Sequence, residues 1–417
     1  MRLQITKLIL ALTVAGLISA CGNKTEEAPD KMVRAGIQRM MKEDNQFNFT
    51  STIKLELGNQ IGESTAHKSS EVIVQQANGA EQGSAASVIS EELAASVASE
   101  EFLSSDEYKM KKLAEELSAY EKHQMESVNR VVRLISKSVS IPVTGAVDFK
   151  KGLVEVIPEF RYENKNALIS YKFPLYLDFN NLSMYVDASA FTNISDVING
   201  ENNPQWVIGD RYVQLALPQD RVQHLPVADL LKSLPKAIDD GYTAIESSAF
   251  SKVDVDEFGK SLEAKFQVRI NSTYAMSMKY DVAMLQSVSQ ALKQAAAKAD
   301  SDSKYQPQDY AVLQNIVDGL VSVYSGDVET ANTPFGYYMA QMKNKSIPII
   351  YNFYFDSKGR VIGMRSQTAL PLDEMKELKG PINIDYKIQY EYTGSPKFTM
   401  QPTPQNSVNI GFRLGLY

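Results

Sequence analysis

The feature that most constrains the fold is a run of strict two-residue alternation between Ile382 and Tyr392. Four apolar or aromatic residues alternate there with polar ones, and the four are Ile384, Tyr386, Ile388 and Tyr390. Successive side chains of a β-strand point to opposite faces, so the run predicts a strand with one apolar and one polar face. Such a strand is typical of an antiparallel sheet that is wetted on one side. The four residues are therefore candidates for a core face or for the lining of an apolar cavity.

Other segments repeat this pattern and alternate with helices. Alternation and apolar runs predict further strands at 47–57, 143–149, 154–162, 168–179, 182–186, 206–217, 262–270, 347–356 and 361–370. Apolar residues at helical spacing predict helices at 32–41, 105–138, 227–246, 281–299 and 308–325. Because one apolar sheet face must be buried against another layer, the element order predicts an α+β protein with helices packed on the sheet.

The N-terminus has the organisation of a bacterial lipoprotein signal peptide. Arg2 and Lys7 precede an apolar run from Leu8 to Ile18, and small residues lead directly into Cys21. The apolar run is too short for a transmembrane helix. Cys21 is the only cysteine, so it has no disulfide partner. The pattern predicts cleavage just before Cys21, attachment of diacylglycerol to its sulfur and acylation of the new amino terminus.

We expect one folded domain behind this anchor. The expected segments are a signal peptide at 1–20, a tether at 21–31, a single domain at 32–400 with an insertion at 58–140, and a tail at 401–417. The insertion begins with a stretch rich in Gly, Ser, Ala, Gln and Glu up to about residue 103, which predicts a mobile segment. The helix expected at 105–138 follows it.

Charge excludes two classes of partner. The whole chain carries a net charge of −7, and residues 1–20 hold two basic and no acidic residues, so the mature chain would carry −9. This balance argues against nucleic-acid binding, which requires a basic face. The lack of a Lys/Arg cluster argues against electrostatic docking on anionic lipid. The membrane is therefore expected as a partner through the N-terminal lipid.

No motif indicates an enzyme, a cofactor or a metal site. The sequence contains no GxGxxG, GxxxxGK[ST], GxSxG or HExxH motif. The three histidines are far apart in the sequence: His67, His123 and His224. Asp254, Asp256 and Glu257 resemble a fragment of a calcium loop but lack its glycine and the spacing to its terminal glutamate. We therefore expect no catalytic residues, no metal ligands and no cofactor.

Four segments resemble the LolA-like and LppX/LprG-like lipoproteins. They are MVRA leading into QFNFTSTIKLEL, VTGAVDFKKGLVEVIPEF, IPIIYNFYFDSKGRVIGMRSQTAL and INIDYKIQYEYTGSPKFTMQP. The resemblance implies a strongly curved antiparallel sheet, an open half-barrel, with helices covering its concave face. Residues 58–140 would then be a long helical insertion that small family members lack. The resemblance also implies that the apolar sheet face holds an acyl chain or another lipophile.

Two functions remain open on the sequence. The first is a membrane-anchored, periplasm-facing lipoprotein that binds or carries a lipid or another lipophile. The second is a non-catalytic structural or interaction lipoprotein of the envelope, which presents the helix at 105–138 to a protein partner. Gly22 and Asn23 follow Cys21 where retained lipoproteins carry aspartate. In a diderm host this pattern resembles lipoproteins of the outer membrane.

Overall fold

The structure is a computed structural model that describes residues 27–57, 138–189, 208–216, 222–300, 302–325, 346–370 and 381–410. Cys21 lies outside these ranges. The mobile segment expected up to about residue 103 also lies outside them, as does the helix expected at 105–138 except for its last residue.

The chain divides into two units. One unit comprises Met1–Leu55, Ser138–Ala369 and Ile384–Tyr417, and the other comprises Glu56–Lys137 and Leu370–Asn383. Nearly all of the described residues belong to the first unit, whose architecture is α+β.

The described ranges contain five α-helices. Their bounds are Pro29–Lys42 (α1), Val227–Thr243 (α2), Glu257–Ser261 (α3), Tyr274–Lys298 (α4) and Pro307–Tyr324 (α5). Proline opens α1 and α5, where its missing N–H costs no helical hydrogen bond. The Asp309 carboxylate also accepts a hydrogen bond from the Gln306 N–H at 2.8 Å, which fixes the start of α5. None of these helices is both long and apolar enough to span a bilayer.

The same ranges contain thirteen strands of one sheet. They are Gln46–Leu57 (β1), Val139–Asp148 (β2), Leu153–Asn164 (β3), Ala167–Lys172 (β4), Leu175–Asp178 (β5), Ser183–Val186 (β6), Tyr212–Ala216 (β7), Phe250–Val253 (β8), Phe266–Thr273 (β9), Pro348–Phe355 (β10), Val361–Leu370 (β11), Ile382–Glu391 (β12) and Ser407–Asn409 (β13). Gly359, at a φ of +72°, lies in the short turn between β10 and β11, as the Ser-Lys-Gly sequence predicts.

The strand order places the first strand, β1, beside β12 at the middle of the sheet. Neighbouring strands follow the order β13-β7-β6-β5-β3-β2-β1-β12-β11-β10-β9-β8, and β4 pairs with β3 beside this path. The path is open in the described part of the chain. The registers of β1–β2, β2–β3, β9–β10 and β10–β11 are antiparallel, whereas β13 pairs in parallel with β7. The pair β1–β12 therefore joins the half of the sheet that contains β2, β3 and β5–β7 to the half that contains β8–β11.

Four of the helices share one apolar core with the sheet. α1 packs against α2, α2 against α4, and α4 against α5. Fully buried members of this core come from three helices and two strands: Ile37, Ile238, Leu285, Phe47 and Ile270. Burial of these apolar side chains is the main stabilising contribution to the fold. The expected α+β class is confirmed, while the half-barrel curvature and the covering of a concave face remain predictions.

The start of one helix and the continuity of one strand differ from expectation. The helix expected at 281–299 begins at Tyr274, because the Thr273 hydroxyl accepts a hydrogen bond from the Met276 N–H at 3.2 Å and caps the helix earlier. The apolar run at 168–179 is divided into β4 and β5, with Pro174 between them. Proline has no N–H for a sheet hydrogen bond, which explains the break.

Sequence analysis missed β8 and α3, which enclose the acidic segment compared above with a calcium loop. Asp256 has a structural role there, because its carboxylate accepts a hydrogen bond from the Gly259 N–H at 2.8 Å and caps α3. Both elements are too short for their periodicity to be recognised.

The C-terminal segment is attached to the sheet through a buried carboxylate. Glu155 in β3 is 1% exposed and accepts hydrogen bonds from the N–H groups of Met400 at 2.6 Å and Thr399 at 3.0 Å. Residues beyond this contact, where we expected a tail, form β13 beside β7. Charge-assisted hydrogen bonds of this kind are among the stronger ones in proteins.

Candidate functional site

The four alternating residues of β12 differ in burial: the two toward its C-terminal end lie in the core, and the two toward its N-terminal end are more accessible. Ile388 and Tyr390 are 2% and 5% exposed and belong to the core. Tyr386 is half-buried and packs against the core, and Ile384 is also half-buried. The accessible end of this face is therefore the part of β12 where a ligand could reach it. Cys21, the expected lipidation site, lies outside the described residues.

A group of tyrosines lies beside the first turns of α4. The tyrosine cluster, as we name it, consists of Tyr242 of α2, Tyr280 of α4, Tyr324 of α5 and Tyr351 of β10. The rings of Tyr242 and Tyr280 meet edge to face, with centroids 4.8 Å apart. The hydroxyl of Tyr351 lies 3.3 Å from the hydroxyl oxygen of Ser277. Three helices and one strand thus bring these side chains to one region.

We treat the tyrosine cluster as a candidate cleft, because its side chains keep accessible surface while the protein desolvates their hydroxyl groups. Tyr280, Tyr324 and Tyr351 are only half-buried. Nevertheless, desolvation by the surrounding protein raises the pKa of each hydroxyl, and that of Tyr324 reaches about 12. The hydroxyl of Tyr280 is itself buried and has no hydrogen-bond partner in the described structure.

Asp281 is the most unusual residue of this cleft. Its carboxyl group has no hydrogen bond or ion pair with any residue that the structure describes, and burial raises its pKa to about 7. An unperturbed aspartate titrates at about 3.9. The charge of Asp281 adds to the effect of burial in raising the pKa values of all four tyrosines of the cluster. No described basic side chain contributes to its own pKa. The site therefore combines an unpaired carboxyl group with aromatic walls.

Sequence analysis missed Asp281 because it placed this residue at the start of the helix, where an acidic side chain is common. In the structure Asp281 lies inside α4, on the same helical stripe as the buried residues Met278, Leu285 and Val288. A charged residue three or four positions from apolar neighbours on a buried stripe must be desolvated. The spacing of Asp281 from these apolar residues could therefore have predicted a desolvated carboxyl group.

The opposite face of β9 and β10 carries a polar network whose members satisfy one another. The side-chain N–H of Gln267 donates to the Asn352 oxygen at 2.8 Å, and Arg269 donates to the same oxygen at 3.1 Å. The hydroxyl of Tyr354 donates to Asp256 at 2.9 Å. Because its polar atoms are paired internally, we assign this network to holding α3 on the sheet.

A third feature is the amphipathic ribbon, formed by the outer part of β3 (160–164) and by β4. Phe160 pairs with Tyr171, and Tyr162 pairs with Ile169. The apolar side is exposed: Phe160 is 46%, Ile169 47% and Tyr171 52% exposed. The other side is mainly polar, since Glu159 accepts hydrogen bonds from Arg161 at 2.7 Å and Ser170 at 2.8 Å, although it also carries the exposed Leu168. Exposed apolar surface of this kind is typical of an interaction site.

Comparison with known proteins identifies no relatives. The described residues contain no group of three or more His, Cys, Asp or Glu side chains that could hold a metal ion. No protein-family model matches the chain, and no curated protein or solved structure matches it.

Proposed function

We propose that the protein is a lipid-anchored, periplasm-facing protein of the cell envelope that binds or carries a lipid or another lipophile. The proposed anchor is diacylglycerol on Cys21, supported by the signal-peptide pattern and by the lack of any other cysteine. Two or more acyl chains suffice for stable membrane attachment. Gly22 and Asn23 support the outer membrane as its location in a diderm host.

The proposed binding element is an open half-barrel whose concave face is covered by helices. Its support is an α+β unit with a long sheet that is open in the described residues and shares its core with α1, α2, α4 and α5. The proposed ligand lies between the sheet and the helices. The resemblance to half-barrel lipoproteins supports the same arrangement.

The observation that carries this proposal is the aromatic cleft beside α4. Its tyrosines keep accessible surface although their hydroxyls are strongly desolvated. Small-molecule sites are usually concave, mostly apolar and equipped with a few polar groups. The tyrosine cluster and Asp281 have this composition.

Ligand binding is tested with the mature chain carrying Cys21→Ser, purified without detergent. We expect solvent extraction and mass spectrometry to release a lipophile, and added 1-octanol to raise the melting temperature, because a ligand of the native state stabilises it by mass action. Ser277→Leu should abolish the shift by filling the space beside Tyr351. Ser248→Leu is the matched control, because Ser248 is exposed. The absence of both extracted ligand and thermal shift would contradict the proposal.

The anchor is tested separately in cells. Cys21→Ser in the full precursor should abolish incorporation of a labelled fatty acid and leave residues 1–20 attached, because no other cysteine can replace the thiol. Label that persists in the variant would refute lipidation at Cys21.

The amphipathic ribbon favours a second candidate function, which is direct contact with the lipid surface. Its exposed Phe160, Ile169 and Tyr171 lie on one side of the ribbon. The ion pair between Arg161 and Glu159 lies on the opposite side. Aromatic side chains favour the membrane–water interface, and insertion of apolar groups does not require anionic lipid. The expected interaction is therefore insensitive to salt.

Vesicle flotation tests this contact. The mature Cys21→Ser chain should float with phosphatidylcholine–phosphatidylethanolamine vesicles, and the double variant Phe160→Ser, Ile169→Ser should not. Arg161→Gln, on the polar side, is the control and should float like the parent. Flotation that is equal in the parent and the double variant would refute contact through the ribbon.

A further inference from the structure

The unpaired carboxyl group of Asp281 restricts the chemistry of a ligand in the aromatic cleft. Asp281 lies one helical turn after Ser277, whose hydroxyl is 3.3 Å from that of Tyr351, and it follows Tyr280, whose ring meets that of Tyr242. Its charge also acts on Tyr324 of α5. None of these side chains carries a positive charge. A carboxylate held in protein without a counter-charge is costly, and the cost is removed when a cation binds.

The surrounding rings suit the same kind of group. The face of an aromatic ring attracts an ammonium ion, most strongly where water is excluded. The buried hydroxyl of Tyr280, which has no partner in the described structure, offers a further oxygen acceptor. An anionic head group would be repelled by the carboxylate, and a neutral one would gain a hydrogen bond without compensating the charge.

We infer that the cleft binds the ammonium head of a cationic amphiphile, with Asp281 as its counter-ion and the tyrosine cluster as its aromatic enclosure. This inference rests on the proposed function, because the cleft must first accept a lipophile. Its apolar tail would lie along the core face toward β12, where Tyr386 and Ile384 keep accessible surface. Asp281 thereby selects among lipophiles by the charge of their head groups.

The inference is tested by calorimetric titration with three eight-carbon ligands that differ only in their head groups: octylammonium, 1-octanol and octanoate. The protein is the mature Cys21→Ser chain, and the variants are Asp281→Asn and the control Asp254→Asn, an exposed residue. At pH 8 we expect the parent to bind octylammonium about 10-fold to 100-fold more tightly than 1-octanol, as for other hydrogen bonds between charged groups. Asp281→Asn should remove this preference, and a cooperative urea-unfolding transition of the variant shows that it is folded.

The pH dependence gives an independent readout. Burial raises the pKa of Asp281 to about 7, so the carboxyl group is mostly neutral at pH 6 and mostly charged at pH 8. Octylammonium should therefore bind the parent more weakly at pH 6, and Asp281→Asn should show no such change.

The outcomes separate the two proposals. If 1-octanol binds as well as octylammonium, or if Asp281→Asn keeps the preference, the ammonium site is refuted while lipophile binding stands. If none of the three ligands binds the parent, the proposed function fails and this inference fails with it. Tetramethylammonium, which has no tail, should bind far more weakly than octylammonium, and equal binding would refute the placement of a tail in the cleft.

Discussion

Replacing Asp281 by asparagine should stabilise the protein at high pH and have little effect at low pH. Asparagine keeps the size of the side chain but cannot ionise. In the folded protein burial raises the pKa of Asp281 to about 7, whereas in the unfolded chain the group titrates near 3.9, its approximate unperturbed value. Between these two values the folded state binds more protons than the unfolded state. The free energy of unfolding of the parent therefore decreases as the pH rises through this window.

The size of the effect follows from the same two pKa values. One pKa unit corresponds to about 1.36 kcal/mol, so the full difference amounts to about 4 kcal/mol. Because Asp281 keeps some accessible surface, solvent reduces the penalty, and we expect a gain of about 2–4 kcal/mol for Asp281→Asn at pH 8 relative to pH 4.5. Urea unfolding of both proteins at these pH values measures it, since the difference between them cancels the other titrating groups.

Asp254→Asn is the control for this experiment, because it removes a carboxylate from an exposed position. Its effect on the free energy of unfolding should be small, because substitutions at exposed positions rarely change stability. The reasoning is refuted if Asp281→Asn is less stable than the parent at pH 8, or if its advantage is the same at both pH values. Either result would mean that Asp281 is solvated or paired in the folded protein.

Four further substitutions test the packing around the sheet by urea unfolding. Ile388→Ala should lower the free energy of unfolding by about 2–5 kcal/mol, because it leaves a buried cavity. Ile384→Ala, at a half-buried position, should lower it by about 1 kcal/mol. Equal losses would contradict a gradient of burial along β12. Gly145→Ala should destabilise by about 1–3 kcal/mol, because the added Cβ would overlap the carbonyl oxygen of Glu155; an unchanged stability would show that the strands can separate there. Glu155→Ala should lower the free energy of unfolding by about 1–3 kcal/mol, because the Met400 N–H loses its acceptor. It should also expose the C-terminal segment to protease. A protease-resistant segment would mean that other contacts hold it.

Local patterns predicted the elements with a long, regular period and a marked turn. The hairpin of β10 and β11 follows from two apolar-rich runs around the turn at Gly359, and β12 follows from its alternation alone. The start of α4 escaped prediction because a single hydroxyl cap, on Thr273, decides it. β8 and α3 escaped because short elements depend on tertiary contacts such as that between Tyr354 and Asp256.

The candidate site could be predicted only in part, for a different reason. The apolar face of β12 is visible in one strand, but the cleft requires α2, α4, α5 and β10 to meet, and no local pattern specifies that meeting. Asp281 could have been marked as a charge on a buried stripe. Whether its carboxyl group has a charged partner depends on residues that are distant in the sequence. Tyr242 and Tyr351 are two such residues, and only the folded structure brings them close enough to be affected by its charge.

The position of β12 beside β1 also determines when the protein can fold during its synthesis. β1 ends at Leu57, and the strand that pairs with its second edge begins at Ile382, so that edge stays open until most of the chain has left the ribosome. Closing so long a loop delays folding, and an unpaired strand edge is a site for association with other chains. The open edge of β1 therefore needs protection from association with other chains until β12 has been made. In the exported protein that we propose, the same delay would favour the unfolded form that a secretory translocon accepts.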